Sequence, residues 1–179
     1  MTTAPITAAT DFPADLSPAQ LLYPDLAKEL ETTRRMLERV PDDDIEWAPH
    51  EKSTRIGRLA THLAQLPRFA ATILTTSDLD VTVTKWPMDT VSTTAERLAL
   101  FDSFAGDMRE RIERVDWKTL RGTWTLRAGT HVILSDTKSS LLRTLGLSHM
   151  AHHRAQLGVY LRLRGIAVPG VYGPSADEG

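Results

Sequence analysis

The stretch Ser140-Leu-Leu142-Arg-Thr-Leu145-Gly-Leu-Ser-His149-Met-Ala-His-His153-Arg-Ala-Gln-Leu157-Gly-Val-Tyr160 decides how this chain is read. Leu142, Leu145, His149, His153, Gln156 or Leu157, and Tyr160 recur at steps of three and four, the period of one helix face. Two members of this apolar stripe are histidines, four residues and therefore one turn apart. The helix is expected to begin between Asp136 and Ser139, and Gly165 marks its end.

Three further stretches carry the same period. Ser17-Pro18-Ala-Gln20 has a capping serine, a proline suited to the first helical position and a glutamine able to bond back to the cap. Leu22, Leu26, Leu30, Thr33, Leu37 and Val40 follow on one stripe, until Pro41 and Asp42-Asp43-Asp44 end it. A second helix is expected from about Ser53, with Ile56, Leu59, His62 or Leu63, Leu66, Ala70 and Ile73 inward. Pro67 lies inside that pattern and is expected to kink the helix without ending it, because the period continues past it. Thr93 with Glu96 forms another capping box. After it Leu98, Phe101, Ala105, Met108, Ile112 and Val115 make the most regular seam of the chain.

Between the third and fourth helices, Gly122 to Leu134 is β-branched on both sides of Arg127-Ala128-Gly129, which predicts a short hairpin. The tail from Val168 to Ser175 holds too much proline and glycine for a helix. The expected fold is all-α: a four-helix bundle with a short β-hairpin between helices 3 and 4. It occupies 1–179 as a single domain, with an N-terminal extension over 1–16 and an irregular tail over 166–179.

Composition narrows the function. The 179 residues include 21 Lys+Arg against 23 Asp+Glu, a formal charge of −2, so the basic excess typical of proteins held to phosphate backbones is missing. No partner nucleic acid is expected, and Arg154, Arg162 and Arg164 are read as a solvated face of the last helix. No apolar run approaches the roughly 20 residues that span a bilayer, so no membrane partner is expected. Met1 to Thr10 have neither a basic n-region nor an apolar h-region, and the expected location is the cytoplasm. Zero cysteine excludes disulfides, thiolate metal sites and a cysteine nucleophile. A metal would have to be held by His, Asp or Glu, and any thiol in the chemistry would have to come from outside the chain.

His62, His149 and His153 all fall where the helical pattern calls for an apolar side chain. One imidazole facing a core is ordinarily a hydrogen-bonded structural residue. Three converging neutral imidazoles need partners, and one divalent cation supplies all three. Chance alone gives roughly 0.2 His-x-x-x-His pairs in a chain with six histidines, so the weight rests on the pair's place on the inward stripe. His152 competes with His153 by its spacing of three from His149. His50 and His131 fall in connections and read as exposed. The Glu-x-x-His pairs of di-iron bundles, His-Glu-x-x-His, Gly-x-Gly-x-x-Gly, the P-loop and Gly-x-Ser-x-Gly are all absent.

The blocks His149-Met-Ala-His-His153-Arg-Ala-Gln-Leu157, Val159-Tyr-Leu-Arg162 and Val171-Tyr-Gly-Pro-Ser-Ala-Asp-Glu178 resemble the DinB family of DinB/YfiT-like metalloenzymes. Trp47-Ala-Pro-His-Glu-Lys-Ser53 and Gly57-Arg-Leu-Ala-Thr-His62-Leu-Ala-Gln-Leu-Pro67 resemble that family's second-helix region. The likeness runs from about Glu29 to the C-terminus, and Ala155 stands where relatives often carry glycine. The resemblance implies a bundle holding one divalent metal through His62, His149 and His153. Zinc or nickel would come first, iron or manganese after them, since imidazole suits several. It also implies homodimers. Characterised relatives in the wider superfamily include transferases and an isomerase that use bacillithiol or mycothiol.

The expected function is therefore a metal-dependent enzyme that activates a low-molecular-weight thiol or water for a small-molecule substrate, with thiol S-transfer favoured by the resemblance. The alternatives are a metal-dependent hydrolase and a non-catalytic, stress-related metal-binding or dimerising bundle. Catalytic candidates are Gln156, one turn beyond His153, together with His152 and Tyr172. The hairpin near Trp124 and the bundle flanks are the places where a dimer interface is sought.

Overall fold

The computed structural model describes residues 16–84 and 91–178. The N-terminal extension expected over 1–16 lies outside them except for Leu16. The first helical stretch is two helices, α1 (Pro18–Leu22) and α2 (Leu26–Leu37). Ser17 and Gln20 form the reciprocal capping box, with Ser17 N–H donating to Gln20 Oε1 at 2.9 Å. The single helix expected from Ser17 to Val40 breaks at Tyr23 (φ −134°, ψ 47°). The next residue is Pro24, whose ring disfavours the helical conformation in the residue before it.

The second stretch is also divided, into α3 (Ile56–Gln65) and α4 (Arg68–Thr75). Pro67 was expected to kink one helix; instead it caps a new one, because a proline at the N-cap forfeits no intrahelical bond. Gly57 sets the entry to α3. Its N–H donates to the Ile45 carbonyl at 2.9 Å. A Cβ on it would lie 2.6 Å from that of Ile45, so only glycine lets the 41–55 connection lie this close.

A short strand β1 (Asp78–Asp80) follows, then α5 (Thr94–Arg114) behind the Thr93/Glu96 capping box, and α6 (Trp117–Arg121). Strands β2 (Thr123–Ala128) and β3 (His131–Thr137) pair antiparallel, and β1 adds to β2 in parallel, with Leu79 opposite Leu126. The chain is mostly helical but not all-α. A strand of three residues has too little alternation to be read, and it exists because β2 offers it a ladder. Trp124 is fully buried and donates from Nε1 to Thr76 Oγ1 at 2.9 Å. It pins the hairpin inward and is no part of an outer surface. Arg127 bridges Asp78 and Asp80.

The last stretch runs from α7 (Lys138–Leu141) through a π-helical segment (Leu142–Ser148) into α8 (His149–Leu163). Gly165, at φ 71°, closes it. Helices α2 and α3 each pack against both α5 and α8. The seam of α5 (Phe101, Ala105, Met108, Ile112) is buried as its period predicts.

Arg154 corrects the reading of a solvated basic face. It is buried beside an equally covered Glu29, with Nη2 2.8 Å from Glu29 Oε2. Its Nη1 donates to Thr32 Oγ1 at 2.8 Å, and Nη2 to Tyr172 Oη at 2.7 Å. Arg162 and Arg164 are exposed, but they are paired with Asp177 and Asp44.

Candidate metal centre

The steps that carry the core through the last stretch are not those of the sequence stripe. Leu142, Gly146, Met150 and Arg154 are buried at intervals of four, followed by Leu157 and Leu161. In a continuous α-helix three such steps drift by about 120°; the wider π turn takes up that drift. The core line therefore passes beside His149 and His153 rather than through them. Both histidines, and His62 on α3 beside the buried Leu59 and Leu63, are half-buried. They were expected in the core and stand at its edge, open on one side.

There the three rings meet. The centroid of His62 is 5.3 Å from that of His149 and 4.7 Å from that of His153. Nε2 of His149 lies 2.9 Å from Nε2 of His153. One nitrogen from each of the three falls within 4.8 Å of the others. Zinc–imidazole bonds of 2.0–2.1 Å in a tetrahedron set nitrogen–nitrogen distances of about 3.3 Å, inside the span found here.

Proton bookkeeping tests the fit. Gln156 Oε1 accepts from His153 Nδ1 at 2.7 Å, so the neutral His153 presents a bare Nε2. In a cluster of imidazoles alone, the facing His149 Nε2 must then carry a hydrogen. That leaves His149 Nδ1 as a bare acceptor, and this atom is buried with no hydrogen-bond partner. A cation held by both Nε2 atoms would remove the conflict. His149 Nδ1 would then keep its hydrogen, which the Leu145 carbonyl one turn back favours.

Electrostatics act in the same direction. Burial, then the neighbouring imidazoles His153 and His149, then Arg58, press His62 down to about 4. Burial, then His153 and His152, bring His149 to about 4. Burial lowers His153 too, against the pull of Gln156. At neutral pH all three are neutral imidazoles rather than cations, the form in which histidine can ligate a metal.

His152 is exposed, its ring 4.8 Å from that of His153. Gln156 is exposed and engaged with His153. Tyr172 is placed elsewhere. Its hydroxyl meets Arg154 and Glu29, beside a groove lined by Ala155, Gly158 and Val168. At about 100° per residue this is the side of α8 opposite His149 and His153. His50 and His131 are exposed, as read from their connections. Arg58, one turn before His62, was not singled out in the sequence, and helical spacing from His62 is the signal that would have found it. Tyr160, already on the stripe, lies on the histidine side of α8 and meets Trp47 edge-on at 5.7 Å.

The model of the DinB family matches residues 16–179. The chain belongs to the DinB family. Its relatives include YrdA of Bacillus subtilis (strain 168), an uncharacterised protein 27% identical over 154 residues, covering 84% of this chain and 85% of that one. Among solved structures, a DinB-like protein of Bacillus subtilis, YjoA, superposes with a TM-score of 0.66 at 18% identity, over 87% of this chain and 99% of the other. YfiT from Bacillus subtilis superposes with a TM-score of 0.62 at 15% identity, over 86% and 93%. YfiT is described as a probable metal-dependent hydrolase with an unusual four-helix bundle topology. Against these DinB-family structures the likeness is one of fold. In this DinB-family chain no described helix is long and apolar enough to cross a membrane.

Proposed function

We propose that this DinB-family chain is a metal-dependent hydrolase of small molecules, with His62, His149 and His153 as the ligands of one divalent ion. The observation that carries the reading is the pair of facing Nε2 atoms at 2.9 Å, one of them set bare by Gln156. The half-open rings favour catalysis over a closed structural site, because an accessible coordination position is what separates the two classes. The description of YfiT supports hydrolysis over other reactions.

An ion held by three neutral imidazoles would serve as a Lewis acid and lower the pKa of a coordinated water or thiol. The chain's own residues do the rest. His62 on one helix and His149 and His153 on another hold the ligand nitrogens without net charge. Exposed His152 stands on the solvent side, where it can accept or return a proton. Arg58, also exposed, places a positive charge beside His62, suited to a substrate with an anionic group. Thiol transfer would use the same open position, with the thiol supplied from outside a cysteine-free chain. Homodimer assembly belongs to the same proposal.

Tag-free protein is expected to carry about one equivalent of a first-row divalent metal, and His149→Ala less than about 0.1. Equal, negligible content in both would remove the metal. Metal-loaded protein is then assayed on esters, amides and phosphoesters, and in parallel with bacillithiol, mycothiol, glutathione or coenzyme A and a panel of electrophiles. Turnover of the first set lost in His153→Ala supports the hydrolase; thiol consumption alone replaces it with the transferase. Sedimentation at the 19.9 kDa of one chain would refute the dimer.

A further inference from the structure

Of the three histidines, His153 has a side-chain partner on its outer nitrogen, and that partner is built into the same helix. Gln156 sits three residues on, one turn along α8, and takes the Nδ1 hydrogen of His153 at 2.7 Å. Neutral imidazole exists as two tautomers of similar energy, and its ring can also flip by 180°. Only one of the four combinations puts Nδ1–H against the Gln156 carbonyl oxygen and a bare Nε2 against His149 and His62. Each of the others breaks the 2.7 Å bond, turns a C–H into the cluster, or points an N–H where a ligand atom is needed. Gln156 is exposed, so its packing contributes little to the fold and its amide is free to serve this bond.

We propose that Gln156 is a positioning residue: it locks His153 as the Nδ1–H tautomer with Nε2 directed at the cluster. By accepting that hydrogen it also supports the positive character the ring takes on when Nε2 binds a cation. The proposal deepens the metal reading above and rests on it for the second effect. The first, the tautomer, belongs to the metal-free protein.

The test uses the full chain, without a tag, and the variants Gln156→Leu and Gln156→Glu. Leucine keeps the size and removes the acceptor; glutamate keeps an acceptor. Long-range ¹H–¹⁵N spectra of the metal-free protein at pH 7.5 report which nitrogen of His153 carries hydrogen. The expected result is the Nδ1–H form in the wild type and in Gln156→Glu, and a shift to the Nε2–H form or to a mixture in Gln156→Leu. Zinc ion affinity, read by competition with a chromophoric chelator, is expected to fall roughly 10- to 100-fold in Gln156→Leu and to recover in Gln156→Glu. A wild type that is already Nε2–H, or a Gln156→Leu variant with unchanged tautomer, overturns the proposal. So does a tautomer shift with unchanged zinc affinity, because nothing would then have been positioned. His153→Ala separates the two readings. If it binds zinc as tightly as the wild type, the metal centre itself falls, while the spectra still decide what Gln156 does to the ring.

Discussion

At the scale of single residues, the site is a case of groups kept from their ordinary protonation. His62 and His149 are held near 4 by burial and by neighbouring imidazoles, His153 first among them, whereas in the unfolded chain an imidazole titrates near 6.5. Between these values the unfolded chain binds more protons than the folded one, so stability falls as pH drops from about 6.5 to about 4. Below that window both states are protonated and these two groups cost nothing further. Denaturant midpoints of the metal-free protein at pH 7.5, 5.5 and 4.5 are expected to decline, and His149→Leu is expected to decline less steeply. A slope identical in the two proteins would contradict the assignment. Asp80 and Asp177, held near 2, act in a separate window at lower pH. Hydrogen bonds from Thr82, then Gly129, hold Asp80 there; Arg162, then the Val168 amide, hold Asp177.

At the scale of elements, α8 divides its labour by face. One side carries the histidines; another carries Arg154 to Glu29 on α2 and to Tyr172 in the tail. Removing one partner of a buried pair strands the other charge, at about 3–5 kcal/mol. Arg154→Met is therefore expected to lower unfolding free energy by that order, and Arg154→Met with Glu29→Leu to recover much of it, as read by urea denaturation. If the double variant is as unstable as the single one, the stranded carboxylate is not the cause.

At the scale of the whole molecule, what was legible in the sequence is what depends on local period. The capping boxes at Ser17 and Thr93, the α5 seam and the pairing of His149 with His153 all follow from spacing along one helix, and His62 from its place on the stripe of another. What was not legible depends on partners distant in the chain. β1 exists only against β2, and Arg154 is inside only because Glu29, Thr32 and Thr33 of α2 meet it. Pro24 and Pro67 divided two helices because α1 and α4 find their own packing on α5, so neither helix has to cross its proline. Position on the stripe was read one notch too deep for His149 and His153, since a uniform 3.6-residue period cannot register the π turn before them.

The π segment has a consequence for how this chain tolerates insertions and deletions. A π turn is an α-helix with one residue to spare, and here the spare residue falls within Leu142–Ser148, the segment that leads into His149. Excising Thr144, exposed on the outside of the segment, would let the stretch relax to an ordinary α-helix. The two ends of the helix would then be out of phase by about 100°: either the hairpin end or the imidazole end keeps its seat, but not both. A deletion variant that stays helical by circular dichroism yet loses its zinc affinity is the expected outcome, and a variant that binds zinc as before would mean that the spare residue has no hand in aiming the histidines.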